Sequence, residues 1–466
     1  MSPTLGPKLA LARAVGAVSR LRGGGGTSLP GKLLVRMDSS AIAELAARLP
    51  RGNVLISATN GKTTTAAMAA SIFETAGISL VHNQAGANMA GGIASTLLDA
   101  AGRNGTIAGE LGLFEVDELW LDRLAGQLLP RVVVLGNLFR DQLDRYGELE
   151  TIAERWATAV KGGAAAQARL VSNADDPLVA DLGRERDAVV YYGVDDDSLA
   201  LAGMAHAADA KHCRRCGAPY VFDAVYLGHL GHYHCESCGQ RRPSPTVLAR
   251  SVVLEGVRSA RFQLSTPDGD AEVKLALPGL YNVYNALAAS ALAVALGISL
   301  ADIVAGLEST KAAFGRAETV TVAGRETRIL LVKNPAGANE VLRTLALEPG
   351  SHDLLGVLND NTADGHDVSW IWDADFELLA GRVRLATCSG TRAPELALRL
   401  KYAGIEPERI RVIHDLPHAF AAATAEHLAI GDGRGAVPLF VLPTYTAMLA
   451  LRELLVRRGE ADSSWQ

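Results

Sequence analysis

No stretch of this 466-residue chain approaches the roughly 20 uninterrupted apolar residues that a membrane-spanning helix needs. Charges, glycines or asparagines break its longest apolar tracts. A basic excess is missing too. Lys and Arg number 45 against 51 Asp and Glu, a net charge of −6 with a pI near 6.0, which argues against a polyanion, nucleic acid included, as the main partner. The composition, 48% apolar and 21% charged, excludes a disordered chain. Internal repeats are absent, and the only low-complexity tract is Gly23–Gly26. Cysteine is scarce. Four of the five form two CxxC pairs, which in a large intracellular protein reads as metal rather than disulfide. The fifth, Cys388, reads as a small buried apolar residue. These features point to a cytoplasmic protein.

At about 150 residues per domain the length allows roughly three domains. The N-terminus carries Lys8, Arg13, Arg20 and Arg22, with no acid before Asp38. Leu9, Leu11, Val15, Val18 and Leu21 could form an apolar face. Arg13 interrupts the core a signal peptide would need. A helix packed on the domain is expected, with a membrane-surface helix as the alternative.

From Val54 onward apolar strands alternate with helical stretches. Strands are expected at Val54–Ile56, Thr106–Ala108, Arg131–Leu135, Arg169–Val171 and Ala188–Tyr192, and a helix at Thr64–Ala76. This alternation predicts a mostly parallel sheet covered by helices. The pattern breaks at 205–245, where the paired cysteines lie, and reads there as an inserted module. Ser251–Leu254, Arg261–Leu264 and Ala271–Leu275 suggest a short antiparallel run before a helix at Asn282–Leu296. A second α/β stretch has strands at Ile329–Val332, Leu354–Leu358, Val383–Ala386, Ile410–Val412 and Leu439–Val441, and helices at Ala338–Leu347 and Ala419–Leu428. The boundary falls near 310–325. The expected division is an N-terminal segment (1–50), a central ATP-binding domain (51–318) with the insertion (205–245), and a C-terminal α/β domain (319–466).

Residues 54–65 read Val-Leu-Ile-Ser-Ala-Thr-Asn-Gly-Lys-Thr-Thr-Thr. A buried strand runs into a tight turn and then a helix, whose first N–H groups and dipole favour phosphate. Lys62 would reach the β- and γ-phosphates, and the Thr63 hydroxyl would hold Mg²⁺. The general phosphate-loop pattern wants a glycine where Ile56 stands. The order Thr59-Asn60-Gly61-Lys62-Thr63-Thr64 instead resembles the loop of the Mur ligases and folylpolyglutamate synthases, with Ala58 where those usually have glycine.

Further segments resemble that family in the same order: Gly86-Ala87-Asn88; Phe114-Glu115-Val116-Asp117-Glu118; the stretch from Asn137 to Asp144; Ser172 to Pro177; Leu277 to Ala286; and Gly315-Arg316-Ala317-Glu318. The resemblance implies Mg²⁺ on Glu115, adenine on Asn282 and ATP phosphate on Arg316. A carboxylate at a strand end facing a phosphate loop is also what a Mg²⁺–nucleotide site needs chemically.

The departures are informative. Gln142 replaces a ligand histidine of the amino-acid-adding ligases. The position that often carries a modified lysine falls near Trp156. Val332-Lys-Asn-Pro-Ala-Gly337 replaces their Asp-Asp-Tyr-Ala-His. This combination is similar to the MurT family, the ligase-like subunits of lipid II isoglutaminyl synthases. The likeness extends to Gly26–Lys32, 137–148, Asp364–Asp373 and Leu442–Met448. It implies phosphorylation by ATP of the D-Glu α-carboxylate in the lipid II stem peptide. Ammonia from a GatD-like class I glutamine amidotransferase partner then displaces phosphate. Cys388 lies in Thr-Cys-Ser-Gly, not in a nucleophile elbow, so this chain has no credible glutaminase of its own. Its rivals are a free-standing ligase adding an amino acid and a nucleotide-binding scaffold. The resemblance also implies work at the inner face of the cytoplasmic membrane, with membrane contact only through the lipid substrate.

Cys213-x-x-Cys216 and Cys235-x-x-Cys238 can close a tetrahedral four-sulfur Zn²⁺ site, each knuckle ending in glycine. Four thiolates leave no open position, so the site is structural. Downstream, Asp360, Asp364, Asp367 and Asp373 crowd one loop with His366, Trp370 and Trp372. An Asx-rich turn with helix capping is one explanation. The MurT resemblance implies another, an Asp completing the partner's Cys-His-Asp triad. Asp364 is favoured, then Asp367.

Overall fold

The computed structural model describes residues 5–21, 28–83, 87–102, 106–141, 149–204, 208–310, 316–425 and 437–461, with backbone alone for Arg20, Leu21, Arg316 and Ala317. The Gly23–Gly26 break, Gly86, Gly315 and the stretch from Gln142 to Glu148 lie outside the described residues.

Two sheets organise the chain. The first has nine strands in the order β11-β10-β9-β6-β5-β4-β1-β3-β2. Its parallel centre is β1 (Asn53–Ser57), β2 (Leu80–His82), β3 (Leu111–Glu115), β4 (Val132–Leu135), β5 (Arg169–Asn173) and β6 (Val189–Val194). β1, β3 and β4 are buried at every residue, as continuous apolar runs in a sheet covered on both faces should be. Apolar cores fill both faces. The expected strand at Thr106–Ala108 is a correction: only Ile107 pairs there, in an isolated bridge to Ala101. The true strand begins at Leu111, where the chain becomes wholly buried.

The N-terminal helix, Leu5–Leu21, packs on the domain. Its apolar face differs from expectation. Leu5, Leu9 and Ala12 are buried, while Leu11 and Val18 are 53% and 49% exposed. The basic groups turn inward, Lys8 to Asp38 at 2.8 Å and Arg13 to the Leu98 carbonyl at 2.9 Å.

After β6 the chain leaves the sheet and forms the cysteine module, whose hairpin is β7 (Val221–Leu227) and β8 (Leu230–His234). It returns as β9 (Val247–Glu255), which pairs parallel with β6 from Tyr192↔Val247. The antiparallel run is completed by β10 (Ser259–Thr266) and β11 (Gly269–Leu275). The insertion therefore leaves and re-enters between neighbouring strands.

The second sheet has the order β12-β13-β17-β14-β15-β16: β12 (Arg316–Val322), β13 (Arg325–Leu330), β17 (Leu439–Pro443), β14 (His352–Val357), β15 (Val383–Ser389) and β16 (Ile410–Val412). β12 is antiparallel to β13 and the rest are parallel. Under it, Arg325 is fully buried. It donates to the Val437 carbonyl at 2.8 Å and to the Ala423 carbonyl, and pairs with Asp353, which also takes Arg384. No helix among the described residues is long and apolar enough to cross a membrane.

Without the Arg325 guanidinium the Val437 and Ala423 carbonyls lose their buried donor and Asp353 keeps Arg384 alone. Arg325→Met should therefore lower stability by about 2–4 kcal/mol, read as a reduced urea midpoint at unchanged slope.

Candidate functional site

Ligands of open α/β sheets bind beyond the carboxyl ends of the strands. Here β1, β3 and β4 end together. β1 runs into Ala58-Thr59-Asn60-Gly61 and then the helix Lys62–Thr75. Gly61 turns the chain at φ 85°, and a Cβ there would lie 2.0 Å from Asn285 Oδ1, so the position is closed to side chains twice over.

Lys62 is buried and donates to the Ala58 carbonyl, and to Glu118 Oε2 at 2.9 Å. Burial disfavours the ammonium, but Glu118, with Glu115 and Asp117 behind it, outweighs that and lifts the pKa above its ordinary value. Lys62 therefore carries a proton at physiological pH. The Thr63 hydroxyl donates to Glu115 Oε2 at 2.8 Å. That distance brings together the hydroxyl and carboxylate that the sequence reading assigned to one cation. Glu115 is 3% exposed, and its backbone is fixed by Asn83, which accepts from Glu115 N and donates to Glu115 O, each at 2.8 Å.

The loop is held from β4 by a reciprocal amide pair: Asn60 N donates to Asn137 Oδ1 at 2.9 Å and Asn137 Nδ2 to Asn60 O at 3.0 Å. From the cap of the helix Pro335–Ala346, which follows β13, Asn334 Nδ2 donates to Asn60 Oδ1 at 2.9 Å. Lys333 Nζ donates to the Thr59 carbonyl at 3.3 Å and pairs with Asp141. Thr59, Asn60, Asn137, Asp141 and Lys333 line a cleft of about 380 Å³ between the two sheets. Two ammonium groups, Lys62 and Lys333, thus stand beside one loop carbonyl.

The four cysteine sulfurs lie within 4.8 Å of one another. Cys213–Cys238 and Cys216–Cys235 are each 3.5 Å apart. In each knuckle the glycine N–H bonds back to the first cysteine: Gly217 to Cys213 O at 2.8 Å, Gly239 to Cys235 O at 2.9 Å. Four sulfurs on two such turns are the donor set of a closed zinc site. The module docks on the core through Asp181, which accepts from Arg215 and Gln240.

The acidic loop follows β14 and is tied to the start of the helix Tyr445–Arg457. Asp364 is 4% exposed and accepts from both the backbone and the hydroxyl of Thr446. Burial raises its pKa despite those bonds. Asp367, by contrast, is exposed and accepts from Ser369 N at 2.8 Å. Bonds from Ser369 hold its pKa below the ordinary carboxylate range. Asp360 meets Thr391 and Arg392, and Asp373 meets Arg140 at 3.4 Å. Ala363 of the same loop lines the cleft.

The Mur ligase middle domain family model matches residues 56–224, and the MurT ligase C-terminal model matches residues 331–448. Over 95% of its length, and 94% of the relative's, the chain is 34% identical to the subunit MurT of the glutamine-hydrolyzing lipid II isoglutaminyl synthase of Streptococcus pneumoniae. The chain belongs to the MurT family. The corresponding MurT of Staphylococcus aureus strain N315 is 33% identical over 97% of this chain and 98% of its own. Among solved structures, a type C pseudomurein peptide ligase of Methanothermus fervidus superposes with a TM-score of 0.68 at 24% identity, covering 89% of this chain and 80% of its own. The MurF ligase of Thermotoga maritima, solved with ADP, gives 0.62 at 17% identity, covering 91% and 83%. Both share the fold. A MurT-family chain is thus an ATP-dependent ligase of the Mur type.

Of the residues that the sequence singled out for nucleotide, Thr59 to Thr64 and Glu115 line this one cleft. Asn282 is not. It is buried, donates to the Pro278 carbonyl at 2.7 Å and accepts from Asn285 at 3.1 Å, and it is Asn285 that lines the cleft. The Arg316 side chain lies outside what is described. Sequence reading also missed Lys333, Asp141 and Glu118. The replaced Val332–Gly337 motif was the available signal for Lys333. Trp156 is buried, its indole N–H donating to the Glu118 carbonyl at 3.1 Å.

Metal analysis of the purified protein should find zinc, and Cys235→Ser should abolish it. Glu115→Gln should weaken Mg²⁺-dependent nucleotide binding, read as the Mg²⁺ concentration needed for half-saturation.

Proposed function

We propose that the chain is the synthetase subunit of a lipid II isoglutaminyl synthase, converting the D-Glu α-carboxylate of the stem peptide to D-isoglutamine. The observation that carries this reading is the meeting of two halves. An intact Lys62–Thr63–Glu115 constellation faces a C-terminal domain that matches the MurT model and lacks the motif for holding an incoming amino acid. A nucleophile as small as ammonia needs no pocket for a carboxylate and side chain.

The ATP phosphates lie on the loop N–H groups at the start of the Lys62–Thr75 helix. Lys62 exchanges the Ala58 carbonyl for phosphate oxygens. Thr63 and Glu115 would hold Mg²⁺, which would neutralise charge on the phosphates. The substrate carboxylate attacks the γ-phosphorus, the bond to ADP breaks, and an acyl phosphate forms. Ammonia then adds to the acyl carbon, the C–O bond to phosphate breaks with its electron pair going to the phosphate, and the proton shed by nitrogen ends on that phosphate, leaving the amide. Preorganised positive charge at Lys62 favours the phosphoryl-transfer step.

Ammonia comes from a GatD-like glutamine amidotransferase, and Asp367 is the loop carboxylate that meets it. Asp364 spends both oxygens on Thr446, whereas Asp367 is outward and held ionised. An ionised carboxylate orients a partner histidine and stabilises its cation. The protein works at the cytoplasmic face of the membrane, where its lipid-linked substrate lies.

Mass spectrometry of lipid II incubated with ATP, Mg²⁺ and ammonium chloride tests the reading. Amidation should proceed without a partner, and Lys62→Ala should slow it roughly 100- to 1,000-fold. With the partner present, Asp367→Asn should reduce glutamine-dependent amidation by about two to four orders of magnitude while leaving ammonia-dependent amidation intact. Product formed only with a free amino acid would overturn the proposal.

A further inference from the structure

The cysteine module is more than a distant staple. Its hairpin turns at Gly228-His229, and the flanking Leu227 and Leu230 line the same cleft as Lys62 and Thr63. Gly228 takes φ 59°, and a Cβ on it would lie 2.8 Å from the Phe139 ring. His229 is fully buried, its ring centroid 4.7 Å from that of Phe139. Its Nδ1 accepts from Asp209 N at 3.4 Å, and its Nε2 is 3.5 Å from Asp176 Oδ2.

These contacts bear on one short segment. Asp176 Oδ2 accepts from Leu138 N at 2.9 Å, and Asp209, at the root of the module, accepts from Arg140 N at 2.9 Å. Between them, Phe139 N donates to Thr59 Oγ1 at 3.1 Å, and the same hydroxyl donates to the Phe139 carbonyl at 3.3 Å. Phe139 and Arg140 therefore meet the module, Leu138 is held by Asp176 of the central domain, and Phe139 in turn holds the phosphate loop.

We propose that the tip of the metal-binding hairpin, Leu227 to Leu230, is a working part of the nucleotide site: it walls the cleft and, with Phe139 as the positioning residue, sets the place of Thr59, so that nucleotide affinity depends on the cysteine cluster being metal-loaded. This rests on the reading of the cleft as the nucleotide site. The sulfurs fix the base of the hairpin on its β8 side, since β8 runs directly into Cys235. Without the metal the tip has no rigid base from which to press on Phe139. The nucleotide itself needs no contact with zinc.

Calorimetric titration of the full chain with Mg·ADP tests this. Gly228→Ala and Leu227→Ala should each raise the Kd roughly tenfold, about 1.4 kcal/mol, at full zinc content and with the cooperative thermal transition retained. Stripping zinc from the wild type with 1,10-phenanthroline should weaken binding similarly, and restoring zinc should recover it. A Kd within about twofold of wild type in both variants and in the stripped protein overturns the inference, even if their melting temperatures fall, because a merely structural module would lower stability alone. A wild type that binds no Mg·ADP overturns the nucleotide reading itself.

Discussion

Where β1 ends, the backbone of Ala58, Thr59 and Asn60 loses its strand partners, yet it remains inside the protein. Buried peptide groups must be paired, and the manner of their pairing shapes everything around the cleft. Asn137 takes both the N–H and the carbonyl of Asn60. Lys62 and Lys333 take the carbonyls of Ala58 and Thr59. Lys333 and Asn334 lie between β13 and the helix Pro335–Ala346, so satisfying one loop ties the first sheet to the second. The same donors are what a phosphate would demand. An acidic protein thus concentrates positive charge at one place, with Glu118 and Asp141 keeping each ammonium paired.

The sequence was most legible where local chemistry decides structure. The alternating strands and helices, the tight turn at Gly61 and the four-cysteine cluster follow from residue type and spacing, while Glu115 as the partner of Thr63 came through the family resemblance of its segment. What it hid were choices made by packing. Thr106–Ala108 looks like a strand, but burial on both faces belongs to Leu111–Glu115. Leu11 and Val18 look like an inward face, but helix phase puts Leu5, Leu9 and Ala12 inside. Asn282 and Asn285 are one helical turn apart. Which of them faces the cleft depends on how that helix rolls against the phosphate loop. Lys333 was invisible because its partners lie 192 and 274 positions away in the chain.

The acidic loop divides its labour by burial. Asp364 is pulled inward and its two oxygens hold Thr446, while Asn359 and Asn361 reach the same threonine. Three side chains converging on one residue make the loop stiff. Asp367 is presented by that stiff frame, and Ala363 on its other side faces the cleft. A single short segment therefore touches both the interior of the ligase and the surface open to a partner.

The parallel pairing of β6 with β9 begins at Tyr192↔Val247, only two residues from where β6 ends. The chain leaves the sheet and re-enters it at almost the same point, so the whole intervening module is a single excursion between neighbouring strands. Such a graft is topologically free: it could be gained or lost in a lineage without re-threading any strand. A relative that dispensed with it would keep its sheet but would inherit an open side to its cleft, and substitutions in the segment corresponding to 138–140 would be the mark of that loss.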